Sequence, residues 1–345
     1  MESAKEYRPR LSEEEFELIK GIRDAGKEHG ISLEHIPDGW LKNKNSSLRF
    51  KNPMFGLGTD LQIIKNSLEG KFTKTYEYRE SSFKKGEAVL KWSDLHFGAY
   101  IRNLVLTPDF DDEILLNGLL ESVGYVNTML FEKVHVHING DLIESFSGLN
   151  HVNSWMSMQP DKIGANAVIL CCDLLEKALS KIYNLGTVKI VAGNHDRTSK
   201  ANDEDVKGGA AELIAWGLEK TGFDVEFHPM IITHEVEGIN HINLHGHFGI
   251  SKRPTDEILW KYGKKGLYNF IFEGHLHSII QKLSVSKTKN FKTIKDEGID
   301  KRRMHCPSFF TGNYYSETLG YDSNPGYLVV WDNGRGKPNV FNGTV

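Results

Sequence analysis

Five short stretches of the chain carry metal-ligand side chains, each after an apolar run. They are Trp92-Ser93-Asp94-Leu95-His96, Asn139-Gly140-Asp141, Gly193-Asn194-His195-Asp196, Leu244-His245-Gly246-His247 and Gly274-His275-Leu276-His277. Imidazoles and carboxylates together suit Mn, Fe or Zn better than Mg or Ca, which prefer oxygen ligands alone. A lone histidine is usually a surface or core residue. Recurrence of the same layout five times is the signal.

Such ligands must be presented by strands. The run Thr187 to Ala192 reads as a buried strand, and Gly193 after it is expected to let the backbone turn sharply. Val134-His135-Val136-His137-Ile138-Asn139 alternates strictly and runs into Gly140-Asp141; His135, His137 and His241 sit inside strand-like runs and read as structural. Further strands are expected at 71–79, 87–93, 224–228, 239–244, 268–273 and 277–286, and closing strands around Pro307-Ser308-Phe309 and Gly326 to Trp331. Helices are expected at 110–131, with Ile114, Leu115, Leu119, Val123, Val126 and Leu130 on its apolar stripe, and at 161–183 and 208–220. The first half is therefore β-α-β-α-β, which implies a largely parallel sheet. The second half is richer in consecutive strands. Residues 1 to about 30 read as a polar tail and a helix capped by Ser12 and stopped at Gly30. A basic, polar segment with Lys42, Lys44, Arg49 and Lys51 follows. Residues 1–70 are thus an N-terminal extension, either a collar on the main domain or an appendage that binds DNA or a partner, and 71–345 form the catalytic domain.

In this order the five stretches resemble the signature motifs of calcineurin-like metallophosphoesterases: D-x-H, G-D, G-N-H-D/E, a strand-end H-G and G-H-x-H. All five stand unbroken across Asp94 to His277. Trp92-Ser93-Asp94-Leu95-His96-Phe97-Gly98 resembles the first motif of the DNA repair exonuclease branch. The N-terminal extension is more loosely similar to those of phage-encoded members. The resemblance implies an α/β fold, a four-layer α-β-β-α sandwich of two mixed sheets flanked by helices. It implies two divalent metal ions, Mn by preference with Fe or Zn possible. Asp94, His96 and His277 would hold the first, Asn194, His245 and His275 the second, and Asp141 would bridge them. A metal-bridging hydroxide would then attack phosphorus, as two-metal sites allow near neutral pH. His195 would act as general acid, with Asp196 orienting it or supporting its charge. His247 is either behind a ligand or facing substrate. Arg197 and Glu144 flank motifs and are candidates to touch substrate. Tyr314 and Tyr315 either stack a base or pack.

The implied activity is a phosphodiesterase, expected to be an exonuclease-like DNA nuclease. The alternative is a phosphatase or small-nucleotide phosphodiesterase on the same scaffold. A non-catalytic scaffold would have lost ligands, and all seven are present. The basic tract of Lys282, Lys287, Lys289, Lys292, Lys295, Lys301, Arg302 and Arg303 is either a solvated hairpin or an edge that tracks phosphates. The net charge of −4 argues against a broad DNA-coating surface. Three cysteines, Cys171, Cys172 and Cys306, fit no disulfide framework; reduced thiols and a cytoplasmic setting are expected. The first six residues have no apolar core, so no signal peptide is expected. No apolar run is long enough to span a bilayer, so no membrane is expected among the partners.

Overall fold

The computed structural model describes residues 38–42, 47–51, 61–77, 85–148, 154–199, 206–277, 301–318 and 323–345. The chain divides into two compact units, Met1–Asp60 and Leu61–Val345. In the first, β1 (Asp38–Lys42) and β2 (Ser47–Lys51) pair antiparallel. The expected helix before residue 30 lies outside the described residues.

The second unit begins with α1 (Leu61–Leu68), a helix the sequence reading did not anticipate; Leu68 is buried in the main core. Residues 71–77 are not the expected strand. They run irregularly, and the Thr75 and Tyr76 amides both donate to Thr221 O. Phe72 packs edge-on against Trp216 and Tyr76 stacks on Phe223, so their rough alternation reflects docking on another element rather than a pleat.

A six-stranded sheet has the order β12-β11-β3-β4-β5-β6. Its parallel part is β3 (Lys85–Trp92), β4 (Phe131–Asn139), β5 (Leu185–Val191) and β6 (Val225–His228). The connections are α2 (Asp112–Met129), α3 (Ala165–Leu179) and α4 (Gly209–Thr221). Asp111 starts α2 by accepting from Ile114 N at 2.9 Å, which satisfies an amide the helix leaves unpaired. Leu115, Leu119, Val123 and Val126 are buried as expected, whereas Ile114 and Leu130 lie exposed. β11 (Gly326–Asp332) and β12 (Pro338–Thr344) close the sheet antiparallel. Pro307-Ser308-Phe309 forms no strand.

A four-stranded sheet has the order β10-β9-β8-β7: β7 (Ile231–Val236), β8 (Ile239–Leu244), β9 (Tyr268–Glu273) and β10 (Lys301–His305). Only β7 runs antiparallel to its neighbour. β7, β10, β12 and α5 (Thr255–Tyr262) were not anticipated. Beyond His277, the strand expected at 277–286 and the basic tract up to Lys295 lie outside the described residues.

Three apolar clusters define four layers. The main core joins α2, α3 and α4 to one face of the large sheet. A second cluster, with Phe270, Phe272, Leu328 and Val330, lies between the sheets. A third joins Ile242, Leu244 and Ile271 to Ile258 and Leu259 of α5. The architecture is the expected α-β-β-α sandwich of two mixed sheets. Alternation in β4 does not separate core from solvent. Val134, Val136 and Ile138 face the helices, while buried His137 and Asn139 face the second sheet.

That inter-sheet face carries a polar layer. Lys91 Nζ donates to Asn243 Oδ1 at 2.5 Å and to His137 Nδ1 at 2.8 Å. His137 Nε2 lies 2.9 Å from His234 Nδ1, and His241 stacks against Phe272, whose ring also carries Lys91 Nζ at 3.6 Å. Burial, with the positive charge of Lys91, holds the His137 and His241 pKa values well below the usual 6.5; burial and His135 bring His234 to about 2.

Candidate metal centre

The loops that follow β3, β4, β5, β8 and β9 converge at one end of the sandwich, at the carboxyl ends of the parallel strands, where such sheets expose their loops for binding. Left-handed backbone concentrates there. Asp94, His96, Asp141, His275 and His277 all have φ between 46° and 71°. For non-glycine residues this conformation is costly and persists where the surroundings impose it.

Glycines in the motifs admit close approach. The backbone does bend and turn at 194–196, directly after Gly193, though Gly193 itself is not in the left-handed region. What it supplies is room: a Cβ there would collide with the Asp141 carboxylate and amide. Gly140, at φ +83°, would place a Cβ 2.6 Å from the His245 ring.

All seven expected metal ligands come together. Asp94, His96, Asp141 and His277 offer donor atoms within 4.8 Å of one another, as do Asp141, His245 and His275. Asp141 belongs to both groups. Its Oδ2 is 3.0 Å from His245 Nε2 and 3.6 Å from His96 Nε2. Asn194 Oδ1 is 3.2 Å from His245 Nε2, and His277 Nε2 is 3.3 Å from Asp94 Oδ1. His275 is tied in through its backbone, whose N–H donates to Asp94 Oδ1 at 3.0 Å.

The tautomers are set from behind. His245 Nδ1 donates to Asn139 O at 2.8 Å, so Nε2 faces Asp141 and Asn194. His96 Nδ1 donates to Glu144 Oε2 at 2.6 Å, so Nε2 faces Asp141. A neutral Nε2 turned toward oxygen lone pairs is repulsive unless a positive charge intervenes. The titration of these groups reflects that demand. Burial alone would lower His245, but Asp141 and Asp94 lift it to about 9. Burial would raise Asp94, but His277 and His245 bring it down to about 2. Burial and the charge of His245 lower His275 to about 4.

A metal fits this donor set. His96 Nε2 and Asp141 Oδ2 are buried polar atoms, 3.6 Å apart, with no hydrogen-bond partner; the 3.0 Å approach of His245 Nε2 to Asp141 Oδ2 is off hydrogen-bond geometry. Orphaned buried atoms are rare and call for an explanation, and a cation held between them would satisfy both.

The expected catalytic pair is divided differently. His195 lies beside the ligands, its ring edge-on to His96 at 4.5 Å, and its Nδ1 donates to Glu144 O at 2.7 Å. Burial would lower its pKa, but Asp141 and Glu144 raise it. The Asp196 carboxylate is spent on backbone amides. It accepts from Leu142 N at 2.9 Å, Ile143 N at 3.2 Å and Gly193 N at 2.7 Å, pinning the β4 and β5 loops together. Burial and the neighbouring Asp141 charge push its carboxyl up to about 7. The carboxylate that steadies histidines is Glu144, 1% exposed and 3.6 Å from His195 Nδ1. Its position three residues after Asp141 was the available signal.

The outlying candidates lie as follows. His247 packs on Phe248 and lies 5.2 Å, ring to ring, from His245. Arg197 is half-buried. Tyr314 and Tyr315 are exposed on the short helix α6 (Tyr314–Thr318). Arg303 of the basic tract is spent inside the molecule, with its Nε and Nη2 each 2.7 Å from a Glu273 oxygen. Phe310, which the sequence reading passed over, stacks on His96 with centroids 4.3 Å apart.

No family model and no curated protein matches the sequence. Solved structures with a similar arrangement include Yfce, a phosphoesterase from E. coli, at TM-score 0.31 and 12% identity over 71% of this chain and 88% of that one. A putative 5'-nucleotidase from Staphylococcus aureus is similar at TM-score 0.34 and 10% identity, over 75% of this chain and 53% of that one. Purple acid phosphatase PPD1 from yellow lupin is similar at TM-score 0.34 and 10% identity, over 74% and 50%. The chain spans about half the length of the latter two. Among the described residues no helix is long and apolar enough to cross a membrane.

Proposed function

We propose that the chain is a metal-dependent hydrolase of phosphoester bonds, with Asp94, His96 and His277 holding one divalent ion, Asn194, His245 and His275 a second, and Asp141 shared. The observation that carries the reading is the pair of buried atoms without a hydrogen-bond partner, His96 Nε2 and Asp141 Oδ2, 3.6 Å apart. Two ions there would supply a nucleophile at neutral pH and neutralise charge on phosphorus. Manganese fits the mixed nitrogen and oxygen donors, as do iron and zinc.

The chain's own residues do the rest. Glu144 holds His96 in the tautomer that presents Nε2. The Glu144 carbonyl holds His195 with its proton on Nδ1, and the carboxylates of Asp141 and Glu144 favour its charged form. A charged His195 can deliver a proton to the leaving oxygen. Asp196 keeps the two loops at fixed separation through backbone amides.

For substrate we propose DNA, on the resemblance of Trp92 to Gly98 to the exonuclease motif and on the basic tract after His277. A second reading, a phosphatase or small-nucleotide phosphodiesterase, is favoured by the internal pairing of Arg303 and the net charge of −4. The 1–60 unit is proposed to serve a partner or substrate rather than the chemistry, since every ligand lies in the second unit.

The test is Mn-dependent degradation of end-labelled single- and double-stranded DNA, beside Asp141→Ala and His195→Ala. Degradation with steep salt dependence, abolished in Asp141→Ala and lowered about a hundredfold or more in His195→Ala, is expected. Intact DNA with turnover of simple phosphate esters would move the substrate to the second reading. Near-normal rates in Asp141→Ala would end the two-metal assignment.

A further inference from the structure

The ring that lies against the first group of ligands is that of Phe310. It stacks on the His96 imidazole at 4.3 Å between centroids and 24° between planes. It meets the His277 ring edge-on at 5.7 Å and 86°. Its backbone N–H donates to Asp94 O at 3.1 Å, and Ser308 Oγ donates to the same oxygen at 3.3 Å. One residue therefore touches all three ligands that belong to the first ion alone. Among the described residues its ring contacts are with His96, His277 and Phe110, and with no ligand of the second ion.

We propose that Phe310 is a positioning residue for the first ion: it sets the ring planes of His96 and His277, so that one of two metal affinities depends on it. The inference rests on the two-metal reading above.

The physical case is one of ring rotation. An imidazole can spin about its χ2 angle, which is broad and roughly two-fold. A metal ligand must be held within about 10–20° of its productive orientation. His96 has Glu144 on Nδ1 and Phe310 on one face, which leaves Nε2 to face the ion. His277 is held less firmly. Its side chain is 27% exposed, and its ring is met edge-on by Phe310 at 5.7 Å and by His96, itself stacked on Phe310, at 5.0 Å, with Nε2 3.3 Å from Asp94. The plate itself is fixed: Phe310 is 1% exposed and abuts Phe110 edge-on at 5.1 Å. The second ion's ligands are held by other means, His245 by Asn139 O and Asn194 by its contact with His245.

The experiment uses the full chain, stripped with chelator and titrated with Mn2+ by calorimetry. His277→Ala and Asn194→Ala mark which binding step belongs to which ion. Phe310→Leu removes the plate, and Phe310→Met removes it while nearly conserving volume, in case the first variant folds poorly. The control is Phe309→Leu, an equally buried neighbour whose ring lies against the Gly118 position of α2 instead. In Phe310→Leu or Phe310→Met the step lost in His277→Ala is expected to weaken about 10- to 100-fold, with the other step within about twofold. Phe309→Leu should leave the ratio of the two steps unchanged. Equal weakening of both steps, no change in either, or the same selective loss in Phe309→Leu would overturn the assignment. A wild-type chain that takes up no Mn2+ would overturn the two-metal reading itself, and this inference with it.

Discussion

The same strands feed two clusters of histidines with opposite electrostatics. Along β4, His137 belongs to the inter-sheet layer and Asp141 lies four residues on, in the candidate metal centre. Along β8, His241 and His245 have the same relation. In the layer the buried neighbour is the Lys91 amine, whose own pKa burial holds well below its ordinary value, and the carboxylates Glu87 and Glu226 pair with His135 and Lys189. Its histidines are held neutral, His234 down to about 2. At the strand ends Asp94, Asp141 and Glu144 are buried among the rings, and His245 rises to about 9. Histidine number does not make a metal centre. Buried carboxylates and tight left-handed loops do.

That contrast can be attacked at either cluster. The largest effect is expected at Gly193→Ala. A Cβ would displace the Asp141 carboxylate shared by the two ligand groups, so Mn2+ uptake and turnover should both fall by at least about a hundredfold. The inter-sheet layer should be untouched, and unchanged metal uptake would count against the packing argument. Glu144→Gln comes next. It keeps the size of the side chain but weakens the hold on His96 Nδ1, and Mn2+ affinity should drop about 10-fold or more, read by the same titration.

The smallest effect belongs to the layer. In the folded chain His234 has its pKa near 2 against an ordinary 6.5, so the unfolded chain takes up that proton first. Its contribution to stability is whole above about pH 6.5 and is lost progressively as pH falls toward 2. His234→Gln should reduce the slope of stability against pH by up to one proton, about 1.4 kcal/mol per pH unit. Urea unfolding at a series of pH values between about 6 and 4 would measure it. An unchanged slope would mean the histidine is not held neutral.

That these side chains would gather was legible because each motif is a few contiguous residues closing an apolar run, and neither burial nor pairing alters that local pattern. What the motif residues do to one another was less legible. Asp196 follows His195 in the chain, but the loop turns its carboxylate onto the amides of Gly193, Leu142 and Ile143. Glu144 flanks another motif and takes the orienting place instead. Arg303 looks like a surface cation until β10 lies parallel to β9 and brings it to Glu273. Gly193 is required by contact with a loop more than fifty residues earlier, which no local rule contains. The largely parallel sheet followed from the order of elements and the layered sandwich from the family resemblance, yet β7, α5 and β12 had too little periodicity to stand out. His137 in the polar phase of β4 reads as structural, but that a second sheet and His234 cover it is not written in the local pattern.

The ligands come from both leaves of the sandwich. Asp94, His96, Asp141 and Asn194 follow strands of the large sheet, and His245, His275 and His277 follow strands of the small one. An ion held by Asp141 and His245, as proposed, would therefore be a rivet through the seam. Whatever free energy it gains on binding must be given back before the leaves can peel apart, so a chelator would loosen the whole sandwich and a well-loaded chain would resist heat and proteases in proportion to the ion supply.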